Sequence, residues 1–194
     1  MIRIEPLSGA ALTPHLRGLA SLRIRVFRAY PYLYDGDADY EAWYLDDFAK
    51  AEGAVVVAAL DGGQLVGAAT ASPMRAQKEE FRTPIAQAGL VPEELFYFGE
   101  SVLLPEYRGH GLGHRFFDAR EAAARAQGFD RTGFYGVVRP ADHPQKPEGY
   151  SPLNGFWAKR GYAPLQGAVA SFPWKEVGQL EEVDHAMQFW IRSL

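Results

Sequence analysis

One stretch decides the fold: Val102-Leu103-Leu104-Pro105-Glu106-Tyr107-Arg108-Gly109-His110-Gly111-Leu112-Gly113. The apolar run over residues 95–104 predicts a strand that ends at Pro105, and a strong helical pattern follows over residues 111–126. Glycines between a strand and a helix let phosphate oxygens approach the backbone N–H groups at the positive helix end. The loop therefore predicts an anion site, although a glycine-rich connection without a ligand is an equally ordinary explanation.

The glycine spacing separates this loop from two common nucleotide motifs. A dinucleotide fingerprint has G-x-G-x-x-G near the first strand, whereas this loop lies in mid-chain with G-x-G-x-G spacing. A Walker loop requires G-K-[S/T] after the glycines, and neither residue pair follows here. A nicotinamide oxidoreductase is therefore only a third interpretation, and we expect another phosphorylated cofactor.

Outward from the loop, the apolar patterns predict an α/β (α+β) fold in a single domain over residues 1–194. The order β-α-α-β-β-β-α-β-α-β-β predicts one mixed sheet of about seven strands with helices on both faces. Residues 30–44 are expected to form a loop before the second helix, and residues 78–92 a helix or a loop. The predicted strands are residues 2–5, 54–60, 64–72, 95–104, 132–138, 167–176 and 184–192, and the other helices are 13–27 and 152–160.

Composition excludes several classes of function. With 47% hydrophobic residues in 194, the chain can bury a core, and without cysteine it has no disulfide, thiolate ligand or acyl-thiol intermediate. A net charge of −4 argues against a nucleic-acid partner. The N-terminal residues lack a signal-peptide core and no apolar run has membrane-spanning length, so we expect a cytoplasmic protein without a membrane partner. Scattered histidines predict no metal site.

The decisive stretch resembles motif A of the GNAT acyltransferases, [R/Q]-x-x-G-x-[G/A] after the fourth strand. Asn154-Gly155-Phe156-Trp157-Ala158-Lys159-Arg160-Gly161-Tyr162 resembles motif B, and in fold order the resemblance covers nearly the whole chain. It implies a mostly antiparallel sheet that splays between strands four and five. It also implies that acetyl-CoA, or another acyl-CoA, lies in the splay as co-substrate.

Cofactor contacts follow from the resemblance. Asn154 would hydrogen-bond the pantetheine arm or cap the short helix, and Arg115 would offer charge to a phosphate or remain solvated. Trp157 would pack beside the cofactor or in the core, and His110 would contact the cofactor or point to solvent. The full set of implied cofactor-binding residues is Val102, Leu103, Leu104, Arg108, Gly109, His110, Gly111, Leu112, Gly113, Arg115, Asn154 and Trp157.

Acyl transfer to an amine requires a base, a donor for the carbonyl oxygen and a proton for the leaving thiolate. Glu100, on the apolar strand before motif A, is the candidate base; its alternative is an ion pair or a strand-edge position. The tyrosine that the family pattern expects as proton donor is replaced by Trp157, whose indole cannot act as an acid. Tyr150 or Ser151, just upstream, is the candidate in its place, and the alternative for Tyr150 is a packed loop aromatic.

Aromatic residues interleaved with acids between Tyr30 and Tyr44 suit a cationic amine. Tyr32, Tyr34 and Tyr40 are therefore candidate acceptor contacts, although a solvated acidic helix explains the pattern equally well. Together these features predict an N-acetyltransferase acting on a primary amine of a small molecule through a direct ternary complex. A non-catalytic acyl-CoA-binding module and a protein amine acceptor are the alternatives, and the late aromatic strands fit either a core or a homodimer interface.

Overall fold

The computed structural model describes residues 2–194; Met1, the first residue of the N-terminal segment considered above, lies outside the described residues. Of the helices in this part of the chain, none is long and apolar enough to cross a membrane. The strands are β1 (Arg3–Leu7), β2 (Val55–Asp61), β3 (Gln64–Pro73), β4 (Leu95–Leu103), β5 (Arg131–Val137), β6 (Ala163–Lys175) and β7 (Glu182–Ser193). The helices are α1 (Leu16–Phe27), α2 (Ala38–Lys50), α3 (Glu79–Gln87), α4 (Leu112–Ala126) and α5 (Asn154–Lys159).

A seven-stranded sheet in the order β1-β2-β3-β4-β5-β7-β6 forms the centre of the molecule. All neighbouring strands are antiparallel except β4 and β5, which are parallel. Their register runs only from Leu95 opposite Arg131 to Tyr97 opposite Gly133, although β4 continues to Leu103. The predicted mixed sheet and its splay between the fourth and fifth strands are therefore confirmed.

Successive side chains of β4 show how the helices are divided between the two faces. The ring of Phe98 packs against Phe117 of α4 at 5.8 Å, whereas the ring of Tyr97 packs against Phe81 of α3, also at 5.8 Å. Burial, followed by the neighbouring Tyr44 of α2, raises the pKa of Tyr97 well above its usual value. Because neighbouring residues of a strand point to opposite faces, α2 and α3 cover one face and α4 the other.

Three predicted boundaries were wrong by three residues or more. The loop after α1 is shorter than residues 30–44, because the Asp37 side chain caps α2 by accepting a hydrogen bond from the Tyr40 N–H at 2.8 Å. Tyr40 is thus helical. Residues 13–15 form a 3-10 turn without a side-chain cap, so α1 begins only at Leu16. The sixth strand begins at Ala163 rather than at residue 167.

Candidate active site

A β-bulge in β4 lies where this strand leaves β5. Opposite the single residue Thr70 of β3, β4 has two residues, Gly99 and Glu100. The Glu100 N–H donates to the Thr70 hydroxyl at 3.1 Å. A Cβ on Gly99 would stand 2.3 Å from that hydroxyl oxygen, so only glycine fits there. The bulge turns the Glu100 side chain away from the face that Phe98 occupies and toward α1.

Two buried carboxylates share one arginine beside the bulge. Arg23 of α1 forms an ion pair with Glu100 through Nη1 and donates from Nε to Glu41 of α2. The side chains of Arg23, Glu41 and Glu100 are only 10%, 0% and 9% exposed. Burial alone would lower the pKa of Arg23, but Glu100, Tyr44 and Glu41 together raise it above its ordinary value. One guanidinium meets two carboxylates, so the three side chains of this acid cluster, Arg23 with Glu41 and Glu100, have an excess negative charge among themselves, while the charge of Arg120 acts on Glu100 from outside the cluster.

Tyrosines surround the acid cluster. The Arg23 guanidinium lies 4.6 Å from the centre of the Tyr44 ring. Burial, followed by Glu100, raises the pKa of Tyr32 to about 12. Burial, followed by the charge of Glu41, raises the pKa of Tyr34. Tyr40 is 50% exposed and lies at the rim, where its ring stacks on Tyr44 at 6.5 Å. The structure therefore brings Tyr32 and Tyr34 to the acid cluster and leaves Tyr40 at the surface.

The glycine-rich loop before α4 has the shape of an anion cradle. Gly109 and Gly111 have φ of 78° and 75°, a left-handed conformation that favours glycine, and open space lies where a Cβ would stand. Gly111 is the N-cap of α4 and provides no side chain to cap it. Within residues 2–194, no carbonyl or side chain accepts a hydrogen bond from the N–H groups of residues 109–113. Exposed, unsatisfied donors at a helix N-terminus fit a pyrophosphate well.

The two predicted cationic residues near this loop contact main-chain carbonyl groups. Arg108 donates from Nε and Nη2 to the Leu103 carbonyl, both at 3.3 Å, and Arg115 donates to the Ile2 carbonyl at 3.5 Å. Both arginines are exposed. Val102 and Leu104 are buried, and Leu103 is half-buried at the end of β4. Their backbone follows the edge that the splay leaves without a neighbouring strand.

The predicted residues near motif B share one cavity. Tyr150, Asn154 and Trp157 line a space of about 500 Å³ at the end of β5, together with Tyr30 and Arg139. Trp157 also packs into the core, since its ring lies 5.0 Å from Phe134 and 5.2 Å from Trp190.

The positions of Asn154 and Tyr150 bear on the roles predicted for them. Asn154 is the first residue of α5 and the N-cap is Leu153, so Asn154 does not cap this helix. Tyr150 makes an edge contact with the Tyr30 ring at 4.7 Å, and burial, followed by Tyr30, raises the pKa of Tyr150. A phenol in this state keeps its proton at neutral pH and is available as a donor.

Sequence reasoning missed Arg23, Glu41 and Arg120, all of which lie near the bulge. Each occupies a position on the buried face of its helix: Arg23 lies four residues after Leu19, and Glu41 four before Leu45. A charged residue on an apolar stripe is the signal that could have found them, because such a residue needs a partner in the core.

Comparisons with known proteins agree with this geometry. The model of the Acetyltransferase (GNAT) family matches residues 19–146. Among curated proteins, no sequence matches this chain. A solved ribosomal-protein-alanine N-acetyltransferase from Brucella melitensis aligns with a TM-score of 0.63 at 15% identity, covering 100% of this chain and 99% of that one.

Two further solved structures share the fold. An N-acetyltransferase from Staphylococcus aureus Mu50 has a TM-score of 0.63 at 10% identity, covering 100% of this chain and 98% of that one. An aminoglycoside N-acetyltransferase in complex with CoA has a TM-score of 0.54 at 16% identity, covering 82% and 84%. Identities this low show the fold alone, whereas the family model matches most of the chain. The chain therefore belongs to the GNAT acetyltransferase family.

Proposed function

We propose that this protein transfers the acetyl group of acetyl-CoA to a primary amine of a small cationic molecule. The observation that carries the proposal is the position of Glu100: its carboxylate belongs to a buried cluster with excess negative charge, at the bulge where β4 leaves β5. An acceptor amine is an ammonium ion in water and is attracted to that charge. We further propose that the chain forms a single domain, that it acts in the cytoplasm and that it needs no metal.

The cofactor would follow the splay and the loop. The free N–H groups of residues 109–113 would hold the pyrophosphate, with Arg108, His110 and Arg115 at its edge. The backbone of residues 102–104 would hold the pantetheine arm, with Asn154 and Trp157 on its other side. Acetyl-CoA supplies an activated thioester when bound; binding and orientation come from the chain.

In the proposed reaction Glu100 is the general base. It removes the proton from the acceptor ammonium, and the free amine then attacks the acyl carbon directly in the ternary complex. Tyr32 and Tyr34 line the approach to the acid cluster, and Tyr40 at its rim offers an aromatic face to a cation. Tyr150 is the candidate donor to the leaving sulfur, since Trp157 occupies the position where a tyrosine is expected.

A second candidate acceptor is a protein amine. The similar structures include one named for a ribosomal-protein alanine and another for aminoglycosides. The first name supports a protein acceptor here, and the enclosed acid cluster favours a small one. A panel containing both kinds of amine would separate the two.

Calorimetric titration with acetyl-CoA and CoA, with NAD⁺ as control, tests the cofactor. We expect saturable binding of both CoA compounds and none of NAD⁺. Release of free thiol with an amine panel then tests catalysis. Tight acetyl-CoA binding without thiol release for any amine would favour a non-catalytic sensing module, and absence of CoA binding would refute the proposal.

A further inference from the structure

Arg120 of α4 is a buried cation that forms no direct ion pair among residues 2–194, although the charges of Glu100 and Glu121 act on it. It is 1% exposed and lies on the apolar stripe of the helix, four residues after Phe116 and four before Ala124. Among residues 2–194, no carboxylate forms an ion pair with it. Burial lowers the pKa of Arg120 to about 10, so the side chain still has its charge at neutral pH.

Its contacts are carbonyl oxygens and ring faces. Nη1 donates to the Thr70 carbonyl at 3.3 Å and to the Glu100 carbonyl at 3.5 Å, and Nε donates to the Phe116 carbonyl at 3.3 Å. The guanidinium also lies over the rings of Phe98 and Phe117 at 4.4 and 4.9 Å. These groups are all uncharged. Arg120 therefore reaches the bulge from the face opposite to Arg23 and donates hydrogen bonds to main-chain carbonyl groups of β3 and β4 there.

A charge in this position is costly for the fold. Removing an ion from water costs several kcal/mol, and an apolar side chain of similar volume often stabilises such a site better. The Glu100 carbonyl belongs to the same peptide unit as the Ser101 N–H. Donation from Arg120 polarises that unit and strengthens its N–H as a donor. The positive charge thus acts at the point where β4 leaves β5.

We propose that Arg120 is a positioning residue whose buried charge, acting through the Glu100–Ser101 peptide, stabilises the CoA thiolate released by acyl transfer. The inference rests on the proposed function. In that reaction the amine nitrogen forms a bond to the acyl carbon, the carbon–sulfur bond breaks, and its electron pair stays on sulfur. One ammonium proton goes to Glu100, and the second proton that the nitrogen loses on forming the amide goes to solvent water. A thiolate that is stabilised in this way leaves without a proton and needs no phenol at the position that Trp157 occupies, so Tyr150 would act on the sulfur as a hydrogen-bond donor rather than as an acid.

The test compares binding of CoA and desulfo-CoA to the wild type, Arg120→Met and Arg125→Met. Arg125 is an exposed arginine of the same helix and provides the matched control. Titrations near pH 7, in buffers of different ionisation enthalpy, count the protons released. A free thiol is protonated at this pH, since a thiol pKa is about 8.5.

We expect the wild type and Arg125→Met to release close to one proton per CoA and to bind CoA about tenfold more tightly than desulfo-CoA. Arg120→Met should lose the proton release and the tenfold preference while it binds desulfo-CoA normally. Arg120→Lys, which keeps the charge, should retain most of the proton release. A merely structural role would not affect the proton count.

Three outcomes would overturn the inference. Wild-type protein that binds CoA without releasing a proton would refute it alone, even if Arg120→Met did not fold. Unchanged proton release in Arg120→Met would also refute it. Failure of the wild type to bind both CoA and desulfo-CoA would refute the proposed function, and this inference with it.

Discussion

Glu100 and Glu121 are both buried glutamates with arginine partners, but the number and balance of those partners differ. Glu121 of α4 accepts hydrogen bonds from Arg160 at 3.0 Å, Arg192 at 2.9 Å and the Tyr162 hydroxyl at 3.1 Å. Arg160 also pairs with Asp118 at 2.7 Å, so two arginines meet two acids. In the acid cluster, by contrast, one arginine meets two acids, and its contact with Glu100 is not aligned as a hydrogen bond.

The two clusters differ in how many hydrogen-bond donors reach the carboxylate and in whether the charges of the cluster balance. The Glu121 cluster ties α4 to the end of α5 and to β7, and its carboxylate oxygen is fully used by donors. A buried charge with such partners fixes structure. Glu100 has one guanidinium that it shares with Glu41, and its cluster keeps excess negative charge beside the splay. We infer that the balanced cluster serves stability and that the unbalanced one serves the acceptor.

The largest effect is expected from a substitution that breaks the balanced cluster around Glu121. Glu121→Gln removes the charge that Arg160 and Arg192 share, and we expect the free energy of unfolding to fall by about 3 kcal/mol. Chemical denaturation measures this loss. Asp118→Asn is the control, since Asp118 contacts the same Arg160 but is 63% exposed, and it should cost less than about 1 kcal/mol. Equal losses in the two variants would contradict a structural role specific to Glu121.

Glu100→Gln tests the acid cluster, where we expect the substitution to affect catalysis rather than stability. We expect kcat to fall about 100-fold, the usual contribution of a general base, while stability changes little because Arg23 retains Glu41. Thiol release at saturating acetyl-CoA measures kcat. Glu94→Gln, at an exposed acid just before β4, should behave as the wild type. Unchanged turnover in Glu100→Gln would remove Glu100 from the mechanism.

Glu41→Gln sharpens the comparison by neutralising the excess charge without touching the proposed base. We expect KM for a cationic amine to rise about tenfold, equivalent to about 1.4 kcal/mol, with a small change in kcat. Asp39→Asn, at an exposed acid of the same helix, is the control. A KM that stays constant in Glu41→Gln would mean that the charge of the acid cluster does not attract the acceptor.

Local patterns in the sequence predicted one half of the site better than the other. The glycine spacing of residues 109–113 and the acid in the apolar strand pointed to the loop and to Glu100 as candidates, since both signals lie within a few residues. Arg23 and Glu41 are 18 residues apart and meet only because α1 and α2 pack together. The bulge that turns Glu100 toward them depends on Thr70, 30 residues earlier. Such pairings come from tertiary packing, and spacing alone does not encode them.

The smallest effect on stability is expected at Glu176, which belongs to an ion cluster away from the bulge. Glu176 pairs with Arg139 at 2.7 Å and with His185 at 2.9 Å, and Arg139 donates to the Pro31 and Tyr32 carbonyls in the loop after α1. Burial alone would raise the pKa of the Glu176 carboxyl, but His185 and Arg139 outweigh it and lower this pKa below its usual value.

A lowered pKa in the folded state means that the Glu176 charge stabilises the protein above the unfolded value, about 4.3, and that this contribution is lost as pH falls through the folded value. We expect stability to fall as pH drops below about 4.3, and Glu176→Gln to make that fall smaller. Denaturant unfolding at several pH values measures it, with the exposed Glu182→Gln as control. An unchanged pH dependence in Glu176→Gln would mean that the carbonyl contacts of Arg139, rather than its ion pair, hold the loop after α1.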